Sequence, residues 1–414
     1  MQVYSIKKRL NIPEYKITAI LKETDKEIHI KLEPYKRKPF VCSGCSQVHK
    51  IGQHALEEST VEDLSMLEKR VYLHVLKRRY KCPVDHRTHI EELPWLKKYS
   101  RITKRLAEKV NRLTAITTNQ EAGWFLGLDD EVIYRIDKEI LEEQYVARLL
   151  PPPAAINLSV DEVSYRKYHR YLTNVVDTEE KAVIWNDRGR RREALDRYYP
   201  AIGEDNCKNI ESVALDGART YTASTQRYAV KATIVYDKFH VLQKLNGAVD
   251  MVRKQEWHKA RKDENKELME LMNCRQRFIL LKKKANLTEK QSGYLERLCK
   301  ANEPIYKAML LKESFLKVYD YNDPVAAEEY LLGWIKDAIE SSLDMFKKIA
   351  ESFLDKLQYI INWFRKKISS AISEGINNKI KRLKRMAYGY KDIDYFRLKI
   401  HQHCGLLNPR RYSH

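Results

Sequence analysis

The chain has 414 residues, 43% of them hydrophobic, which is enough for two to four domains with buried cores. Lys and Arg number 77 against 57 Asp and Glu, and the formal net charge of +20 favours a polyanionic partner such as nucleic acid or an anionic membrane. No run of 18 apolar residues is present, so a transmembrane helix is excluded, and seven cysteines in this length argue against a disulfide scaffold and for a reducing cytoplasm.

The first residues, Met1–Lys8, lack the apolar segment of a signal peptide and read as mature protein. Residues 1–40 carry strand-like alternation, with a hairpin expected from Tyr15–Lys22 and Glu27–Leu32. Cys42-Ser43-Gly44-Cys45 follows, and a strand over Arg70–Leu76 runs on to Cys82, with His86 four residues beyond. A Cys-x2-Cys knuckle turns two thiolates toward one point. A second knuckle closes a tetrahedral structural zinc site, so Cys42, Cys45, Cys82 and His86 are the expected ligands. His89 competes for the fourth place, and His49 is a more remote choice.

Ile102, Leu106, Val110 and Leu113 form one helical face. Gly127 marks a break, and a further amphipathic helix is expected over roughly 129–143. Three short helices with a glycine-marked turn suit a helix-turn-helix unit, although Asp129, Asp130 and Glu131 are poor neighbours for phosphate. Pro151-Pro152-Pro153 is the clearest boundary in the chain.

Beyond it the pattern changes to short strands at 156–161, 171–177, 182–186, 212–216 and 232–237, with helical segments at 192–199 and 221–228. That order implies an α/β fold with a mixed five-stranded sheet. From 238 to about 368 the chain reads as helical, with apolar stripes that belong to a core. From 376 to 414 there are ten Lys or Arg against two Asp, interleaved with Tyr388, Tyr390, Tyr395 and Phe396, a mixture suited to phosphates and unpaired bases.

Asp161 and Asp216 each end an apolar strand, and Glu374 opens the last basic helix. In open α/β sheets ligands sit at the carboxyl ends of strands. Three converging carboxylates need cations, and hard oxygen donors suit two Mg²⁺ or Mn²⁺ ions of the kind that clamp a phosphoryl transfer. Glu162 is expected to be a bystander of Asp161. Asp237, with His240 three residues on, rivals Asp216.

The motifs resemble bacterial insertion-sequence transposases of the ISL-three family over nearly the whole chain. The resemblance rests on Cys42–Cys45 and Leu76–Cys82, on Val160–Lys167 with His169-Arg170-Tyr171, and on Val213–Asp216 and Val235–Val241. The most specific pieces are Glu374–Lys381, Arg385–Tyr390 and Phe396–Ile400. It implies an RNase H-like catalytic core with a D, D, E triad, Asp161, Asp216 and Glu374, interrupted by a large helical insertion. It also implies a DNA transposase that binds the terminal inverted repeats of its element, cleaves there and joins the ends to target DNA. The fourth zinc ligand departs from the family's Cys, and Ser370 stands where the family has Asn.

The expected divisions are a zinc-binding β-rich domain (1–98), a helix-turn-helix (99–150), the first part of the core (151–240), the insertion (241–368) and the catalytic helix with its basic tail (369–414). Arg166, Lys167, Asn377, Asn378, Lys379, Lys381, Arg382 and Arg385 are expected to touch DNA, and Asp237 and His240 to orient the site. The partners are double-stranded DNA and a second copy of the chain, without a membrane, at the bacterial nucleoid. Two other readings are a non-catalytic regulator derived from a transposase, which would have no need of the three acids, and a structure-specific nuclease without separate DNA-reading modules.

Overall fold

The computed structural model describes residues 3–36, 39–49, 54–166, 170–217, 219–274, 276–366 and 371–412. Lys167, His169 and Ser370 lie outside the described residues. The described chain is mixed α/β and falls into two compact units, one up to Gln144 and one from Tyr145 to Arg411. Among the described residues no helix is long and apolar enough to cross a membrane.

The first unit opens with helix α1 (Val3–Leu10), where alternation suggested a strand. Ile6 and Leu10, four apart, are both buried on one face of the helix. Seven strands follow: β1 (Tyr15–Glu23), β2 (Glu27–Pro34), β3 (Phe40–Cys42), β4 (Val48–His49), β5 (Ala55–Met66), β6 (Lys69–Lys81) and β7 (Thr88–Glu92). They run in the order β1-β2-β6-β7-β3-β4, with β5 paired to β6. Val71, Leu73 and Val75 of β6 point one way and bury against Ile28, Ile30 and Leu32 of β2 and Val61 of β5. The period of two thus builds one apolar face.

Three helices complete this unit: α2 (Lys104–Thr114), α3 (Asn119–Leu126) and α4 (Asp130–Leu149), whose last residues cross the unit boundary. Thr103 caps α2 by accepting from the Leu106 N–H, and Thr118 and Glu121 cap α3 reciprocally. Gly127 ends α3 with φ +68, and a Cβ on Gly123 would sit 2.6 Å from the Leu128 carbonyl oxygen. Both glycines therefore permit the tight turn into α4.

The second unit holds a five-stranded sheet of β8 (Asn157–Arg166), β9 (Arg170–Asp177), β10 (Ala182–Arg188), β11 (Ser212–Leu215) and β12 (Thr233–Tyr236), in the order β10-β9-β8-β11-β12. The first three strands are antiparallel neighbours, and β8, β11 and β12 run parallel. Short helices α5 (Arg192–Asp196), α6 (Tyr198–Ile202) and α7 (Glu204–Lys208) precede β11. Helix α8 (Arg219–Tyr228) joins β11 to β12.

After β12 come α9 (Lys238–Lys262), α10 (Lys266–Leu271), α11 (Arg277–Leu281), α12 (Glu289–Ala301), α13 (Glu303–Leu316), α14 (Pro324–Glu340), α15 (Asp344–Leu354) and α16 (Leu357–Lys366). Their core is continuous with one face of the sheet: Leu158, Val160, Val213 and Ile234 share a cluster with Leu245, Phe315, Trp334 and Phe353. The other face, with Val163, Leu172, Val176 and Val183, is covered by α17 (Ala371–Met386) and α18 (Ile393–Cys404) through Ile376, Ile380, Phe396 and Ile400.

Two buried polar groups lend themselves to tests. In the first unit Arg78 and Glu91 are both buried and paired at 2.7 Å, and the Tyr15 hydroxyl also donates to Glu91. Removing one partner of such a pair strands the other charge. Glu91→Ala is expected to lower the stability of this unit by about 3–5 kcal/mol, measurable by urea unfolding. In the second unit His401 is fully buried, and burial, then the nearby Arg397, push its pKa down to about 3. The folded chain thus resists a proton that the unfolded chain accepts. The neutral ring costs nothing above the ordinary histidine pKa, and stability is lost as pH falls from there toward 3. His401→Phe should make unfolding free energy less steep over that interval than in the wild type.

Candidate active site and metal centre

Strand register assembles the acidic site. Ala214 of β11 lies beside Ser159 of β8, so two residues further on Asp216 reaches the level of Asp161. Leu215 lies beside Tyr236 of β12, so Asp216 and Asp237 are level as well, and the Asp237 N–H extends the ladder to the Leu215 carbonyl. Residues in register on parallel strands share a face. Asp216 and Asp237 thus follow the last residues of β11 and β12, while Asp161 stands level with them inside β8, which runs on to Arg166 through its pairing with β9 and does not end at 161 as expected. Asp237, expected as a rival to Asp216, is its neighbour; it caps α9 by accepting from the Phe239 N–H at 2.8 Å, with His240 Nε2 3.7 Å from its carboxylate.

Helix α17 is fastened to β8 beside Asp161. The Ser373 hydroxyl meets that of Ser159 at 2.6 Å, and Asn377 Nδ2 donates to Asp161 Oδ2 at 2.6 Å. Glu374 lies between these two anchors in sequence and is exposed. Among the described residues, Asp161, Asp216 and Glu374 are not drawn within 4.8 Å of one another. Asn377, expected on a DNA-contacting surface, is instead buried and holds Asp161. Asn378, Lys379, Lys381, Arg382 and Arg385 are exposed, while Arg166 donates to the Lys391 carbonyl at 2.8 Å and ties the end of β8 to the segment after α17.

The electrostatics favour a cation. Burial raises the Asp161 pKa, opposed by the Glu162 N–H and His240, and reinforced by Asp216 and Asp237. Burial likewise pushes Glu162 up to about 7, against the hydrogen bond from the Tyr221 hydroxyl at 3.0 Å. Positive charge stands close by. Gly217, with φ +84, turns the chain after Asp216, and a Cβ there would lie 3.3 Å from Lys244 Nζ. Lys356 donates to the Gly217 carbonyl at 3.4 Å. The donor set is hard oxygen, fitting Mg²⁺ or Mn²⁺.

The first unit contains a different cluster. Cys42, Cys45, His49 and Cys82 place one ligand atom each within 4.8 Å of all the others. Cys45 Sγ is 3.2 Å from His49 Nε2 and 3.6 Å from Cys82 Sγ, and Cys82 Sγ is 3.8 Å from His49 Nε2. Tetrahedral zinc with Zn–S of about 2.3 Å needs ligand separations of roughly 3.8 Å, so the set fits a structural zinc. Burial pushes the Cys42 thiol up, but the Tyr80 hydroxyl and the N–H groups of Cys45 and Gly44 bring it down to about 6, as a thiolate ligand requires.

His86 is not in this cluster. The two knuckles have the same backbone: the Ser46 N–H returns to the Cys42 carbonyl and the His86 N–H to the Cys82 carbonyl, with φ of 57° and 60°. His86 therefore occupies the left-handed turn position, and its side chain is exposed. The residue matching Cys45 is Asp85, which pairs with His89 at 2.6 Å. His49 takes the fourth place from the short strand β4, and its signal in the chain is the spacing Cys45-x3-His49. His49→Ala is expected to lower the bound zinc measured by mass spectrometry and chelator competition, while His86→Ala should retain it.

Residues 158–400 match a family described as a transposase, of ISL3 type, and residues 38–85 match one described as the zinc-finger of transposase IS204/IS1001/IS1096/IS1165. The transposase for insertion sequence element IS1001 of Bordetella parapertussis is 32% identical over 361 residues, 86% of each chain. The transposase for IS1557 of Mycobacterium tuberculosis is 26% identical over 254 residues, 56% of each chain. On this evidence the chain belongs to the ISL3 (ISL-three) family of insertion-sequence transposases.

Proposed function

We propose that the chain is a DDE transposase whose five-stranded sheet is an RNase H-like catalytic core. It binds the terminal inverted repeats of its element, cleaves strands at the ends and transfers them to target DNA. The observation that carries this reading is the level register of Asp161 and Asp216 on parallel strands, with α17 and its Glu374 pinned beside Asp161. The strand order, three antiparallel strands followed by two parallel ones, agrees with that core.

Asp161, Asp216 and Glu374 are the residues that would hold two Mg²⁺ or Mn²⁺ ions. When bound, the ions neutralise the carboxylates and support the attacking and leaving oxygens of an in-line displacement. The remaining parts belong to the chain itself. Asn377 fixes one oxygen of Asp161, and Tyr221 fixes Glu162, so these two acids of β8 cannot rotate freely. Lys244, Lys356 and Arg219 raise the local positive potential where a phosphodiester must approach. In the cleavage step water adds to phosphorus and the 3′-oxygen leaves as a hydroxyl. In strand transfer that hydroxyl attacks a target phosphodiester and expels its 3′-oxygen.

The zinc-bearing sheet and the helices α2 to α4 are the proposed readers of the repeat sequence, with the exposed basic residues of α17 as further DNA contacts. Pairing of two ends calls for at least a dimer on DNA, and a substrate of this kind places the protein at the bacterial nucleoid.

Strand cleavage of a duplex carrying the element's end, in Mg²⁺ or Mn²⁺, tests this reading. Asp161→Ala, Asp216→Ala and Glu374→Ala should each abolish cleavage while repeat binding persists. Asn377→Ala, which frees Asp161 without removing an acid, should slow cleavage by roughly 10- to 100-fold. Full activity in any of the three acid variants would overturn the assignment of that acid.

A further inference from the structure

Helix α9 begins at the acidic site and runs away from it for 25 residues. On a helical projection His240, Lys244, Gly247, Met251, Lys254, His258, Arg261 and Lys262 fall within a sector about 100° wide. All but the half-buried His240 are exposed. The opposite face, with Val241, Leu245, Val249 and Val252, is buried in the core. The stripe from His240 to Lys262 is about 33 Å long, close to one turn of duplex DNA.

Its charge is of one sign. The carboxylates within α9 are Asp250 and Glu256. Asp250 sits at the edge of the stripe and is shared by Arg253 and Lys254, at 2.8 and 3.1 Å, so two cations outweigh it. Glu256 is buried on the other side, with Lys259 at 2.6 Å and Asn302 donating to it. Lys244, His258 and Lys262 have none of these acids as partners among the ion pairs of the described residues. Glu270, on the neighbouring α10, lines a groove beside Lys254 and His258 and is the nearby acid from another element.

Gly247 supplies an independent observation. It lies mid-helix on the exposed stripe, where glycine costs roughly 1 kcal/mol against alanine. A Cβ at this position would meet nothing within 4 Å, so no neighbour inside the chain requires its absence. A glycine on an exposed, positively charged helix face lets a backbone or phosphate come close.

We propose that the exposed stripe of α9 is a docking rail for duplex DNA, which leaves the acidic site along Lys244 and Gly247 and is gripped again at Lys254, His258, Arg261 and Lys262. This rests on the transposase reading above. Duplex DNA is favoured over a single strand because a straight rod meets the backbone of a regular duplex at intervals set by the helical repeat. The distance from Lys244 to the far group, about 15–27 Å, corresponds to roughly four to eight base pairs.

Hydroxyl-radical footprinting of the full chain on a duplex carrying the element's end tests the rail. Protection is expected at the cleaved position and again roughly four to eight base pairs to one side of it. In the variant combining Lys254→Gln, His258→Gln, Arg261→Gln and Lys262→Gln, the distal protection should vanish. The slope of log K against log salt should fall by roughly 2–3. Gly247→Gln should leave the thermal midpoint unchanged or higher, because it improves helix propensity, yet weaken DNA binding several-fold. An unchanged distal footprint and salt slope in the combined variant, or wild-type binding by Gly247→Gln, would overturn the rail. If the wild-type chain cleaves none of these duplexes but the footprint behaves as described, the transposase chemistry fails and the rail stands.

Discussion

The acidic edge depends on one constraint, the register of β8, β11 and β12. Parallel strands fix neighbouring residues at a common height, and here the residues at that height are aspartates. A slip of one residue would turn each carboxylate to the other face of the sheet. The register is held by apolar side chains below the acids, among them Leu158, Val213 and Ile234, so the core sets the geometry of the charges. The acids themselves oppose the arrangement, since burial and mutual repulsion both raise the pKa of Asp161. Packing thus holds together groups that would separate if left to their own electrostatics.

Helix α17 answers this edge with uncharged polar contacts. Ser373 and Asn377 are buried, four residues apart and on one side of the helix, where they reach Ser159 and Asp161. The same helix turns Lys379, Lys381 and Arg382 outward. One element therefore does two tasks on two faces, fixing the acid inside and presenting charge outside. The zinc cluster follows a comparable economy: two backbone knuckles of one design carry unequal side chains, and a histidine from β4 makes up the difference.

Much of this was legible in the chain because period-two and period-3.6 patterns survive without tertiary context. Four of the five strands of the second unit stand within a residue or two of where alternation places them, β8 runs five residues beyond its expected end at 161, and the long helical block is helical. Strand β5 was missed because Glu57, Glu58, Glu62 and Asp63 dilute its alternation; its pairing with β6 supplies what propensity does not. Helix α1 was misread because two buried side chains are too few to separate a helix from a strand without knowing the core. The level position of Asp237 was hidden since register is a relation between strands and not a property of either one. His49 was undervalued for a similar reason, as backbone geometry decides which residue of a knuckle turns inward.

The cover of the sheet's second face by α17 and α18 has a consequence for how the protein comes into being. Val163, Leu172, Val176 and Val183 are made well before the helices that bury them. At bacterial elongation rates more than two hundred residues separate Asp161 from Glu374 by roughly 10–40 seconds. During that interval the nascent chain carries an uncovered apolar face, a target for chaperones, and an Asp161 carboxylate without the helix that steadies it. A message interrupted between these elements yields a chain that lacks both the cover and Asn377, which holds Asp161.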